Sequence, residues 1–144
     1  MQQRWPDRLW VVRHGESVGN LALRQAKKAG LPALHLDLRD PDVPLSDLGR
    51  EQARALGRWF GALPPAERPE VVLVSPYGRA RETAELIVRG AGLPIEHRDF
   101  VSDERLREKE LGILDLLTEE GIAKHHPEQA RFRRTLGKFY HRPP

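Results

Sequence analysis

The sequence predicts an α/β fold built on a parallel sheet, and three observations carry that reading. Leu9-Trp10-Val11-Val12 is a short apolar run that gives way at once to Arg13-His14-Gly15-Glu16-Ser17. Val71-Val72-Leu73-Val74-Ser75 is a second such run, rich in valine and stopped by Pro76. A segment with helical spacing follows each of them, as in a strand-to-helix unit. In open parallel sheets ligands sit beyond the carboxyl ends of the strands, and both polar corners fall there.

Taken in order, the first strand spans about 9–12, and Asn20 lies in the first turn of a helix running to about Lys28. Gly30, Pro32, Asp37, Asp40, Pro41, Asp42 and Pro44 make residues 30–45 an irregular loop, in which His35 has no assigned role. Ser46 is a good N-cap. Leu48, Gln52, Leu56, Trp59, Phe60 and Leu63 then recur at near-helical spacing, which places a helix over about 47–62, stopped by Pro64-Pro65. The continuous run at 71–75 suits a strand buried on both faces. The helix after it, Tyr77 to about Arg89, should bury Ala80, Ala84 and Ile87. A short strand is expected at about Ile95 to Arg98. His97-Arg98-Asp99 imitates a kinase catalytic loop, but Glu104 stands where that loop needs asparagine. From Thr118 the tail is helical on both sides of Pro127, with Phe132, Leu136 and Phe139 along one face. Arg131, Arg133, Arg134 and Lys138 surround that face.

At 144 residues the chain is expected to form one domain, 1–144, with a single ordinary core. It is 39% hydrophobic and 31% charged, a globular rather than a disordered balance. Without cysteine it has neither a disulfide framework nor a thiolate metal site, which fits a reducing compartment. The N-terminus lacks the apolar stretch of a signal peptide, and nothing reaches the length of a membrane span, so a cytoplasmic location is expected. The net charge of +3 could mean nucleic acid, but the arginines are scattered rather than gathered in a block. Solvated helix faces and a small anionic substrate account for it better.

The two corners carry the chemistry. Arg13 can fork two hydrogen bonds onto one anion, and Gly15 lets the backbone approach without a side chain in the way. The following helix offers unpaired N–H groups and a positive dipole end, so a phosphate site makes physical sense. Arg79 stands at the matching corner after the second strand.

Arg13-His14-Gly15-Glu16-Ser17 with Asn20 resembles the signature of the histidine phosphatase superfamily, the phosphoglycerate-mutase-like enzymes. The leucine-serine, glycine and glutamine-alanine pattern of residues 45–53 is similar to the helix after that family's first loop. Ser75-Pro76-x-x-Arg79-Ala80-x-x-Thr83-Ala84 is similar to its second phosphate motif. The resemblance implies a three-layer α/β/α domain with a mostly parallel sheet, and phosphoryl transfer through a covalent intermediate. His14 would attack phosphorus, with its other ring nitrogen donating to the Gly15 carbonyl. Arg13 and Arg79 would neutralise the phosphoryl oxygens, and Asn20 would add a neutral donor. The family's acid lies in a leucine-x-glutamate segment followed by glycine, which is Glu108 here, with Glu110 as the fallback. The family's aromatic and second glycine just beyond are replaced by Ile113, Leu114 and Asp115. No cofactor is implied, and the adjacent His125-His126 pair lacks the spacing of metal ligands on a helix.

Family members carry a second histidine, in a His-Gly pair ending a later strand. After Glu108 this chain has only His125, His126 and His141, none in that setting. An incomplete member is therefore expected. Its first strand would be left partly unpaired, an association hazard that allows a homo-oligomer.

Within the resemblance a phosphatase acting on a phosphorylated small molecule is favoured over a phosphomutase, and a non-catalytic phosphate-binding remnant is the further alternative. A remote rival uses the same residues: Gly15-Glu16-Ser17-Val18-Gly19 fits the G-x-S-x-G elbow of serine esterases, with Ser17 as nucleophile. That elbow should be preceded by several strands, and only one precedes Ser17.

Overall fold

The computed structural model describes residues 5–140, with side chains as far as 137. Its regular elements are α1 (Val18–Lys28), α2 (Asp47–Ala62), β1 (Leu73–Val74), α3 (Gly78–Ala91), β2 (Val101–Ser102), α4 (Glu119–His125) and α5 (Pro127–Tyr140), an α/β set. They fall into two compact units, one of residues up to 17 with 41–107, the other of 18–40 with 108 onward. No helix among the described residues is long and apolar enough to cross a membrane.

The first unit is organised by α2 and α3. Ser46 caps α2 as expected, its Oγ accepting the Gly49 N–H at 3.1 Å. The buried stripe of α2 is only partly the expected one: Phe60 is buried with Leu56 and Leu63 packed beside it, but Gly49, Ala53 and Gly57 are the other inward residues, while Leu48 and Trp59 are about half exposed. The reason is the closeness of the two helices. A Cβ on Gly57 would lie 2.8 Å from the Ile87 carbonyl oxygen, and one on Gly61 would lie 3.2 Å from Ala91 Cα. Small residues let the backbones approach, and the bulky ones are displaced to the flanks. Ala80 and Ala84 are half-buried and pack on Val74, Val88 and Phe100, whereas Arg79, Thr83, Ile87 and Val88 take the buried stripe of α3.

The expected first strand is not assigned. Trp10 turns inward, donates its indole N–H to the Glu67 carbonyl at 3.2 Å and packs edge-on against Trp59 and Phe60. Leu9 and Val11 on either side of it are 72% and 89% exposed. Val12 is exposed as well, so Trp10 alone of the four turns inward, and among the described residues nothing pairs with 9–12 as a ladder.

The second run also buries one face rather than two. Val74 is inside, while Val71 and Leu73 are exposed. Its partner is not at 95–98: β1 pairs in parallel with β2, Leu73 opposite Val101 and Val74 opposite Ser102. Residues His97–Asp99 form a 3-10 turn instead, closed by the Glu96 N–H to Asp99 carboxylate bond at 3.0 Å. Local bonding by these polar side chains competes with a strand and shifts pairing to the apolar residues beyond.

Asp103 then caps a further turn, Glu104–Leu106. It accepts the Arg105 N–H at 2.9 Å and the guanidinium at 2.6 Å. The hydrogen bonds and charge of Arg105 hold its carboxyl at about 2, below the usual 3.8. A depressed acid stabilises the folded state above its unfolded pKa, and that contribution fades as pH falls towards the folded value. A carboxyl-carbon NMR titration should place the Asp103 midpoint near 2; a midpoint near the unperturbed value would show that the ion pair does not persist in solution.

In the second unit Thr118 joins the loop at 31–34 to α4. Its Oγ1 donates to the Leu31 carbonyl at 2.9 Å and accepts the Gly121 N–H at 3.1 Å. Gly121 is required there, because a Cβ would overlap the Pro32 carbonyl oxygen. Ala26, Leu114 and Ile122 are buried in this unit. The tail is helical on both sides of Pro127, as expected, but Phe132 and Leu136 are about half exposed, and Gly137, at φ 74, interrupts α5. The side chains of Lys138 and Phe139, and His141 altogether, lie outside the described residues.

Candidate active site

The corner at residues 13–17 is fixed from two sides. Glu16 makes three of the contacts: its carbonyl accepts the Ser46 N–H at 2.9 Å, its own N–H donates to Gln52 Oε1 at 2.9 Å, and its carboxylate accepts the Ser46 hydroxyl at 2.8 Å. Two glycines make this seat on α2 feasible. A Cβ on Gly15 would overlap the Gly49 carbonyl oxygen, and one on Gly49 would overlap the Glu16 carbonyl oxygen. From the other side, the Gly15 N–H donates to Thr83 Oγ1 at 3.2 Å, and that hydroxyl donates to the Arg79 carbonyl at 2.7 Å. One threonine thus ties the loop to the first turn of α3. Glu82, one residue earlier, accepts the Leu45 N–H at 3.1 Å and Arg50 Nε at 2.6 Å. The hydrogen bond and charge of Glu82 push the Arg50 pKa up.

His14 is half-buried on this loop, and its Nδ1 lies 2.7 Å from the Gly15 carbonyl oxygen. A carbonyl only accepts, so Nδ1 carries a proton, and in the neutral ring the lone pair is then on Nε2. That is the arrangement a nucleophilic imidazole needs.

Arg79 is 6% exposed, with its guanidinium carbon 4.8 Å from the Tyr77 ring centroid. Burial opposes a cation, and so does the positive end of the α3 dipole beside it. An anion at this helix end would relieve both.

Arg13, His14, Gly15 and Arg79 are therefore brought into one unit, with Arg13 exposed. Asn20, half-buried in the first turn of α1, belongs to the other unit. So do Glu108 and Glu110, both exposed, with Glu108 Oε1 accepting the N–H of its neighbour Lys109 at 3.3 Å. His125 and His126 end α4 in that unit as well. Ser17 is 3% exposed and bridged to Leu45 in antiparallel fashion, so it does not stand at an exposed elbow. Among the described residues, no cluster of three or more metal-binding side chains occurs. A separate cavity of about 450 Å³, lined by Glu85, Val88, Leu93, Ile95, His97 and Phe100 among others, includes none of the expected site residues.

The sequence profile of the histidine phosphatase superfamily (branch 1) matches residues 9–143. The chain belongs to that family. Among curated relatives, the 2,3-bisphosphoglycerate-dependent phosphoglycerate mutase 2 of Gloeobacter violaceus is 34% identical over 89% of this chain and 51% of its own. A mycobacterial glucosyl-3-phosphoglycerate phosphatase, solved in complex with VO3, is 28% identical with a TM-score of 0.54, over 83% of this chain and 46% of that one. An alpha-ribazole-5'-P phosphatase candidate from Escherichia coli has a TM-score of 0.61 at 22% identity, over 86% of this chain and 52% of that one, and shares the fold. This histidine phosphatase chain spans about half the length of the relatives it matches. Two residues that matter in the geometry, Thr83 and Tyr77, had no role in the sequence reading. Thr83 stood within the second motif, and its helical position four residues after Arg79 was the available signal.

Proposed function

We propose that this protein is a phosphatase that takes the phosphoryl group of a small phosphomonoester onto His14. The observation that carries this reading is the His14 Nδ1–Gly15 carbonyl contact at 2.7 Å, which assigns the nucleophile's lone pair to Nε2 in the neutral ring. Nε2 forms the bond to phosphorus as the ester P–O bond breaks, giving phosphohistidine. Arg13, Arg79 and Asn20 take up the charge on the phosphoryl oxygens, the largest contribution a protein makes to phosphoryl transfer. Glu108 protonates the departing alkoxide, then as carboxylate removes a proton from the water that releases phosphate. Its segment supports that assignment, and Glu110 is the alternative.

The name of the Gloeobacter relative favours a second reading, a phosphomutase that returns the phosphoryl group to its substrate instead of to water. Hydrolysis of an aryl phosphate separates them, because that substrate offers a mutase nothing to isomerise. The 144-residue chain should release phosphate from it, and His14→Ala should lower the rate by about a thousandfold or more. Equal rates in both would remove His14 from the mechanism. Interconversion of phosphoglycerates without net phosphate release would favour the mutase.

A further inference from the structure

The buried position of Arg79 raises the question of what orients it. Tyr77 is the N-cap residue of α3 and is 4% exposed, so its ring is a fixed object rather than a surface side chain. Its backbone is committed, the carbonyl accepting the N–H of Ala80 at 3.0 Å and of Arg81 at 3.1 Å. The Arg79 guanidinium carbon lies 4.8 Å from the centroid of that ring, within cation–π range. Arg107 flanks the same side chain, its guanidinium carbon 5.7 Å from the ring centroid. Arg107 is in turn paired with Glu104 at 3.3 Å.

We propose that Tyr77 is the positioning residue for Arg79, presenting its guanidinium to the phosphoryl oxygens from the face of a ring that Arg107 flanks. A long arginine side chain left to itself loses rotamer entropy when it closes on an anion. Held on a buried ring, that loss is taken on folding rather than on binding, so the anion binds a preorganised cation. This inference rests on the phosphate-site reading above.

The test is the affinity of the 144-residue chain for inorganic phosphate, measured by titration calorimetry. The series comprises wild type, Tyr77→Phe, and Tyr77 replaced by mono-, di- and trifluorophenylalanine. Fluorine withdraws charge from the ring face while leaving its shape nearly unchanged, so a purely structural residue would not respond. Phosphate binding should weaken stepwise, to about tenfold at the trifluoro ring, at an unchanged melting temperature. A flat series overturns the proposal. Arg79→Met is the separating arm. If it binds phosphate as tightly as wild type, or wild type binds none, the phosphate-site reading itself fails and the positioning role with it. If Arg79→Met loses affinity while the fluorinated series stays flat, only the role of Tyr77 is lost.

Discussion

Replacing Gly49 by alanine should destabilise this protein by about 3 kcal/mol, which for a chain of this size is a fall in melting temperature of roughly 10 °C. Intrinsic propensity argues the other way, since alanine in a helix is favoured over glycine by about 1 kcal/mol. The outcome is decided by what the methyl group meets. It would overlap the Glu16 carbonyl oxygen, a backbone atom that cannot swing aside. Relief requires the loop at 13–17 to lift from α2, breaking the Ser46 N–H to Glu16 carbonyl bond at 2.9 Å and displacing His14 with it. Gly78→Ala is the control. A Cβ there meets only the Pro41 carbonyl oxygen, at 3.4 Å, so that variant should be neutral or slightly stabilised. Thermal denaturation of the pair checks the prediction, and equal melting temperatures would mean that the loop does not sit on α2 as described.

Arg79→Met should separate activity from stability. Catalysis should fall by about a thousandfold, the scale seen when one positioned donor to a transition-state oxygen is removed. Stability should change much less than activity, because methionine keeps an apolar stem against the Tyr77 ring while the charge is lost. A residue that serves only structure would show the reverse, a lower melting temperature with activity kept in the surviving folded fraction. Rate and melting temperature measured on one preparation distinguish the two.

Helices were the legible part of this fold. Ser46 announced α2, Pro76 and the spacing after it announced α3, and Pro127 divided the tail, because caps and breakers act through the local backbone. The strands were less legible, since pairing depends on neighbours the sequence does not name. Residues 9–12 form no ladder with anything described, and only Trp10 among them turns inward. The polar turn at 97–99 closes on itself and hands pairing to Val101. The stripe of α2 was legible at Leu56, Phe60 and Leu63 but not at its small residues. Gly49, Ala53 and Gly57 carry little hydrophobic weight, so a pattern search passes over the residues that permit close helix packing.

In the candidate site, His14 and Arg79 could be singled out because their motifs are contiguous and sit at matching corners. The contribution of Thr83 could not, since it arises only when α3 is laid beside the loop and one hydroxyl finds both the Gly15 N–H and the Arg79 carbonyl. Tyr77 is a similar case. An aromatic residue before a helix is ordinary in sequence, and only the buried ring under a guanidinium gives it meaning.

If Nε2 of His14 is the nucleophile, it carries a phosphoryl group during turnover. That is tested most directly by incubating the chain with an aryl phosphate, quenching in alkali and mapping the modified residue by mass spectrometry. The expected product is an added phosphoryl group on His14 that survives alkali, is lost in mild acid, and is missing from His14→Ala. An acid-stable phosphoryl group on a serine such as Ser17, or labelling that persists in His14→Ala, would contradict it.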